Sequence, residues 1–372
     1  MAQAIVAALR ERRPEVQIAF TYFSPSAERV AARVGAEVSH YLPWDLGAEM
    51  RRALAALRPE VIAFVRTEIW PVLCREARRT GGRLALVNAA LAEGSSRLRP
   101  TSRYLLGPGY ARLDRVGAVS PADARRFPRL GVPRERVRVT GDARFDQVWA
   151  RVRALEGERA RGERTLLSRL QDPDMLTMVA GSTWPEDESR LIPPFAALRH
   201  EQQLRLIIAP HEPTPAHLEG LERTLDAAGL QHARLGQVET SAGALPEVIV
   251  VDRVGVLADL YALASLAYVG GGFGGAGLHS VVEPAALGVP VLFGPRFGNA
   301  QEAGELARTG GGVVVRSVEE IARTLRHLVR ERVARAEASA AALTFVRGRL
   351  GGAAQNAELI EELLDRRGGG ER

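Results

Sequence analysis

Apolar and polar positions alternate along this chain in two rhythms that follow one another from end to end. Short apolar runs fall at 16–23, 60–65, 83–87 and 115–119, and the stretches 26–34, 46–57 and 69–80 between them carry apolar residues three and four positions apart. A compact apolar run suits a strand buried on both faces, and three-four spacing suits a helix with one buried stripe. A second series predicts strands at 175–180, 204–209, 247–251, 266–269, 289–293 and 312–315, with helices at 185–198, 215–228, 280–287 and 300–308. Helical spacing continues through 318–330 and 333–364 with a break near Gly351 and Gly352, and the end at 368–372 predicts a disordered tail. This alternation predicts an α/β chain with parallel sheets covered on both sides. Residues 2–12 also have helical spacing, so nothing strand-like precedes the first strand, although a doubly wound half normally opens on a central one.

At 372 residues the chain is longer than one hydrophobic core usually serves, which predicts two Rossmann-like, doubly wound domains. The charged, strand-poor stretch 151–169 marks the join. The expected division is an N-terminal domain over 1–150 with its first strand missing, a linker over 151–174, a second domain over 175–335, and C-terminal helices and tail over 336–372. Net charge is +6, from 50 cationic against 44 acidic residues, and every cation is arginine. Without lysine there is no Walker A phosphate contact, no Schiff base and no pyridoxal phosphate anchor. The single cysteine, Cys74, excludes an internal disulfide and a cysteine-built zinc site. No apolar run approaches the roughly 20 residues that span a bilayer, and no signal peptide opens the sequence, so a soluble or peripheral protein is expected. The basic balance fits an anionic partner, whether phosphorylated substrate, lipid surface or nucleic acid, and equally an arginine-rich genome.

The densest chemical signal is the glycine run from Val269 to Pro295, with Gly271, Gly272, Gly274, His279, Ser280 and Glu283. Glycines after a buried strand let backbone approach a ligand, and a helix starting near His279 would aim its N–H groups at an anion. Glu283, a turn into that helix, suits ribose hydroxyls; a generic strand-to-helix turn with a dipole-favouring acid explains the same residues. A second loop, Gly181-Ser182-Thr183-Trp184-Pro185-Glu186-Asp187-Glu188, has the composition of a helix start capped by its Ser or Thr, and lies at a predicted strand end where ligands bind. His211 at the next strand end is either a satisfied structural histidine or a contact to phosphate or base. Glu68, in Thr67-Glu68-Ile69-Trp70-Pro71, is either a cap or a carboxylate facing a cleft.

Taken together, these segments resemble the bacterial 3-deoxy-D-manno-octulosonic acid (Kdo) transferases, inverting glycosyltransferases of the GT-B fold, from about Pro14 to Glu362. The likeness rests on Phe23-Ser24-Pro25-Ser26, Tyr41-Leu42-Pro43-Trp44-Asp45, the segment Thr67 to Pro71, Leu86-Val87-Asn88-Ala89, Val139-Thr140-Gly141-Asp142 with Arg144-Phe145-Asp146, Gly181 to Trp184, the glycine run through Gly294-Pro295, and Asn299 to Glu302. The resemblance implies a ligand cleft between two domains, CMP-Kdo as donor and a lipid A precursor as acceptor. It implies action at the cytoplasmic face of the bacterial inner membrane, with an anionic membrane surface and no nucleic acid as partner. Gly181, Ser182, His211, Gly271, Gly272, Gly274, His279, Ser280, Glu283 and Asn299 carry over as donor contacts, and Glu68 as a cleft carboxylate. No metal and no cofactor are implied, and the sequence offers no carboxylate pair suited to Mg²⁺.

Two departures stand out. Many family members have Asn where Ser280 stands. Full-length members also begin with a membrane-anchoring helix and a strand ending in Gly-Glu, whose glutamate is the catalytic base, and the present sequence starts after that motif. The expectation is therefore a chain that folds but transfers Kdo slowly or not at all, with Glu68 the nominated substitute. Two rivals share the sequence pattern: a UDP-sugar glycosyltransferase or UDP-GlcNAc 2-epimerase of the same fold, and a catalytically idle nucleotide-binding module.

Overall fold

The computed structural model describes residues 1–161, 170–172, 175–199, 203–241 and 243–365. The expected tail at 368–372 and much of the expected linker lie outside the described residues. The chain divides into two compact units, one of Met1–Gln147 with Arg349–Arg372, the other of Val148–Gly348.

The first unit contains two parallel ladders. Strands β1 (Ala19–Tyr22) and β2 (Val38–Tyr41) pair with each other, and β3 (Val61–Val65), β4 (Arg83–Ala89), β5 (Arg115–Ala118) and β6 (Val137–Val139) form a four-stranded sheet in chain order. Strand β4 is central, with Leu84 to Ala89 buried, as its unbroken apolar run requires. Two strands lack a sequence signal for a physical reason: β2 is exposed along its whole length, and β6 has three residues. The expected helix over 26–34 shortens to a 3₁₀ turn at Pro25–Ala27 and one helical turn at Glu28–Ala31, because Arg33 and Val34 donate to carbonyls only three residues back. A helix at Pro100–Tyr110 was hidden by Gly107, Pro108 and Gly109.

The apolar stretch over 333–364 becomes two helices. Arg332–Arg347 lies in the second unit, the chain turns at Gly351 (φ +102°), and Gly352–Asp365 returns to the first. There Ala353, Ala357, Leu359, Ile360 and Leu363 join Ile5, Leu9, Ala85 and Val87 in one core. The returning helix is held by polar groups at its start. Asp146 accepts the N–H groups of Gly351 (2.7 Å) and Ala353 (2.9 Å). Buried Asn356 accepts from the Asn88 N–H (2.8 Å) and the Thr140 hydroxyl (3.2 Å).

The second unit is a seven-stranded parallel sheet of β7 (Leu176–Thr183), β8 (Leu204–Pro210), β9 (His232–Arg234), β10 (Val248–Val250), β11 (Leu266–Val269), β12 (Val291–Phe293) and β13 (Gly312–Val314). Its order is β13-β12-β11-β7-β8-β10-β9. Residues alternate between two cores: Met178, Ala180, Leu206, Ile208 and Tyr268 face one, and Val179, Ile207, Ile249 and Ala267 the other. The chain runs outward from β7 through β8 to β9 and β10, then crosses to β11 on the opposite flank. Adjacent strands whose connections leave in opposite directions open a crevice at their carboxyl ends, here between β7 and β11. The α/β architecture with doubly wound parallel strands is thus the one the sequence predicts.

The cap of the returning helix supplies a test. Asp146→Ala removes an acceptor from two helix-terminal N–H groups and is expected to destabilise the protein by about 1–2 kcal/mol, read as a lowered urea midpoint. An unchanged midpoint would mean that water replaces the carboxylate without loss.

Candidate functional site

The crevice at β7 and β11 is organised around one buried carboxylate. The helix Pro185–Leu198 begins with Trp184 at its N-cap, and Asp187 reaches back so that Oδ2 accepts the Trp184 N–H at 3.0 Å. The cap therefore comes from Asp187 rather than from Ser182 or Thr183, because the Thr183 hydroxyl turns inward and donates to Glu188 at 2.8 Å. The same Oδ2 accepts the Gly271 N–H at 2.9 Å, and Oδ1 accepts the Tyr268 hydroxyl at 2.7 Å. Asp187 is fully buried and joins the end of β7 to the glycine run after β11. Nothing in the Glu186-Asp187-Glu188 run separates it from an ordinary acidic first turn; its partners Tyr268 and Gly271 lie more than 80 residues away.

The glycine run folds back on itself. Gly270 donates to the Gly181 carbonyl at 2.9 Å, and His279 donates its backbone N–H to the Gly270 carbonyl at 3.2 Å, closing a loop over 270–279. Gly271 sits at φ +89°, where other residues are strained. A β-carbon on Gly272 would lie 2.7 Å from the Gly294 Cα, so two backbones touch there. Asn299 clamps the loop, its amide donating to the Leu278 carbonyl (2.9 Å) and accepting the Leu278 N–H (3.1 Å). Ser280 is exposed and Gly274 half-buried near the loop tip. The expected helix over 280–287 is only Val282–Ala286, with Val281 at its N-cap and no side-chain cap.

His211 and His279 meet at this site. The His211 N–H donates to the Thr183 carbonyl at 2.9 Å, and its ring stacks between Trp184 (centroids 5.0 Å apart) and His279 (4.2 Å). Burial, and secondarily His211, push the His279 imidazole below its ordinary range, while Asp187 opposes them. The His279 Nε2 and Trp184 Nε1 atoms are buried with no hydrogen-bond partner among the described residues. Behind them, His217 Nε2 lies 3.0 Å from Glu188 and its Nδ1 3.1 Å from the Glu212 carbonyl, a pair that the sequence reading missed. Glu283 is half-buried; burial holds its carboxyl above the usual range, against Arg151, which is ion-paired with Asp259 at 2.9 Å.

The structure therefore brings Gly181, Ser182, His211, Gly271, Gly272, His279 and Asn299 to one end of one sheet, and Ser182 takes a left-handed φ of +55° there. Glu68 belongs to the first unit. It is exposed after β3, between Thr67, whose carbonyl accepts the Tyr110 hydroxyl at 2.6 Å, and buried Ile69. In the same unit Phe23 (45% exposed) packs against Trp44 (69%) at 5.4 Å and Trp70 at 5.2 Å, and Asp45 caps the helix Pro71–Arg79 through the Val72 and Leu73 N–H groups. Three of the motif segments thus converge in this unit. Among the described residues, no three His, Cys, Asp or Glu side chains gather as metal ligands, and no helix is long and apolar enough to cross a membrane.

Residues 1–147 match the profile of the 3-deoxy-D-manno-octulosonic-acid transferase (kdotransferase) family. The chain is 28% identical over 313 residues to a 3-deoxy-D-manno-octulosonic acid transferase of Haemophilus influenzae, covering 81% of this chain and 69% of that protein. A Bordetella pertussis protein of the same name is 28% identical over 323 residues, covering 84% and 72%. The chain is thus similar to the Kdo transferases, in its first 147 residues by profile and over about four fifths of its length by sequence. Its fold is also that of the UDP-GlcNAc 2-epimerase of Neisseria meningitidis, with a TM-score of 0.68 at 11% identity over 98% of this chain and 95% of that one. That likeness is of fold, and it matches the GT-B architecture expected from the Kdo transferase resemblance.

Glu283 supplies a pH test. Its carboxyl titrates above its unfolded value, so its contribution to stability is present below the unfolded pKa and is lost as pH rises through the folded one. Glu283→Gln removes that loss. The variant should melt higher than the parent at pH 7.5, with the gap closing towards pH 4; a gap that does not change with pH would contradict the burial effect.

Proposed function

We propose that the protein is an inverting glycosyltransferase that moves Kdo from CMP-Kdo to a lipid A precursor in lipopolysaccharide biosynthesis. The observation that supports this reading beyond the likeness to Kdo transferases is the β7–β11 crevice, with its glycine loop held by Asp187 and followed by the half-buried carboxylate Glu283. Such an arrangement suits a nucleotide: amides and imidazoles meet the phosphate, and the carboxylate accepts from ribose hydroxyls. In the transfer, an acceptor hydroxyl oxygen bonds to the anomeric carbon of Kdo while the bond to the CMP phosphate breaks. CMP leaves with the electron pair, and the hydroxyl proton passes to a base. Glu68 is the acceptor-side carboxylate we nominate, with Phe23, Trp44 and Trp70 of the same unit as an aromatic surface.

The test is Kdo transfer from CMP-Kdo, measured with CMP and UMP binding. Tighter binding of UMP than of CMP would favour the epimerase or UDP-sugar reading, which the shared fold also admits. Glu68→Gln should lower the transfer rate by roughly 10²–10⁴-fold while leaving CMP affinity unchanged. Equal rates in variant and parent would remove Glu68 from the reaction.

The anionic membrane surface is part of the same proposal. Arg51, Arg75 and Arg79 converge on the single buried carboxylate Glu76, a local excess of positive charge, whereas Arg10, Arg12, Arg13, Arg52 and Arg78 each pair with acids. Replacing Arg51, Arg75 and Arg79 together by Gln should weaken sedimentation with phosphatidylglycerol vesicles, and salt should weaken that of the parent. Binding that is indifferent to both salt and substitution would refute this surface.

A further inference from the structure

The two histidines at the crevice present an electrostatic problem that their surroundings leave unsolved. Their rings lie 4.2 Å apart, tilted by 34°, and neither has a hydrogen-bond partner on its ring nitrogens among the described residues. Asp187 favours a proton on His279, but burial outweighs it, and the nearby acids already carry hydrogen bonds. Asp187 accepts from the Trp184 and Gly271 N–H groups and the Tyr268 hydroxyl, and Glu188 is held by Thr183 and His217. Glu212, next to His211, is exposed. Two like charges at this separation repel strongly in a partly desolvated site, and burial already holds His279 below its ordinary range. The buried Nε2 of His279 and Nε1 of Trp184 add two polar atoms without partners among the described residues, beside a glycine loop with positive φ at Gly271 and Gly277.

We propose that His211 and His279 form a proton-linked clamp for the phosphate of a nucleoside monophosphate, the pair taking up one proton from solvent as the dianion binds. The proposal rests on the nucleotide-sugar reading above and extends it to the protonation chemistry of the leaving nucleotide. The phosphate adds negative charge to that of Asp187, so a proton on the pair is held more firmly in the complex than in the free protein. Trp184 fixes the plane of His211 by stacking on it and presents its indole N–H at the same place. In turnover, the clamp stabilises the phosphate charge that grows as the sugar bond breaks, and releases its proton to solvent as CMP departs.

Calorimetric titration of CMP into the full chain at pH 7.5, in two non-phosphate buffers of different ionisation heat, reads the proton count directly. Uptake approaching one proton is expected, with CMP affinity falling up to about tenfold per pH unit above neutrality. His211→Gln and His279→Gln should each abolish the uptake and weaken CMP by roughly ten- to a hundredfold. Both variants should bind cytidine, which lacks the phosphate, as the parent does; this separates a lost clamp from a lost fold. Equal heats in the two buffers, or uptake that survives both substitutions, would overturn the clamp. UMP bound more tightly than CMP with the uptake intact would remove the cytidine reading and keep the clamp, whereas no binding of either nucleotide would remove both.

Discussion

The carboxylate of Asp187 is the constraint on which the second unit's chemistry depends. A buried ion is tolerated only when its lone pairs are met, and here three donors meet them: a helix-start amide, a glycine amide and a tyrosine hydroxyl. One donor follows β7 and the other two lie at the end of β11 and just after it, so satisfying the charge also fixes the β7 loop against the β11 loop. The tyrosine lies within β11 itself, and burial, with Asp187 second, pushes its hydroxyl pKa far up, which keeps Tyr268 a donor at every physiological pH.

The glycines become intelligible within that frame. Gly271 must give its N–H to Asp187 while turning through a positive φ, and Gly272 must let the Gly294 backbone come against it. Asn299 then closes the far side by pairing both ends of its amide with Leu278. The loop is thus held by hydrogen bonds at both ends, with only its tip exposed. Rigid backbone amides of this kind can stabilise a leaving phosphate without reorganising as charge develops.

The first unit is organised by a different polar centre. Asn88 at the end of β4 and Thr140 after β6 both donate to Asn356 on the returning helix, and Asn88 also engages Asp142 and the Ala143 N–H. Motifs that carry the family likeness, Leu86 to Ala89 and Val139 to Asp142, therefore serve here to seat the C-terminal helix. The aromatic trio of Phe23, Trp44 and Trp70 comes from other motif segments, and it is exposed where the Asn88 centre is buried. One set of family motifs holds the fold, and another is left facing solvent.

The sequence by itself determined the alternating architecture, the strands with long apolar runs, the glycine loop and the likeness to Kdo transferases, because burial on both faces and close backbone approach impose residue types that persist locally. It did not mark β2, β6 or β9, whose three or four residues are exposed or half-buried and carry no apolar rhythm. Nor did it distinguish a cap from a cornerstone at Asp187, reveal the Glu188–His217 pair, or place His211 against His279. Those facts depend on hydrogen bonds and ring contacts between residues distant in the chain, and the return of Gly352–Asp365 to the first unit depends on which core its apolar stripe fits. Local pattern says that a residue is buried or turned; only the packing of separate segments decides what it meets there.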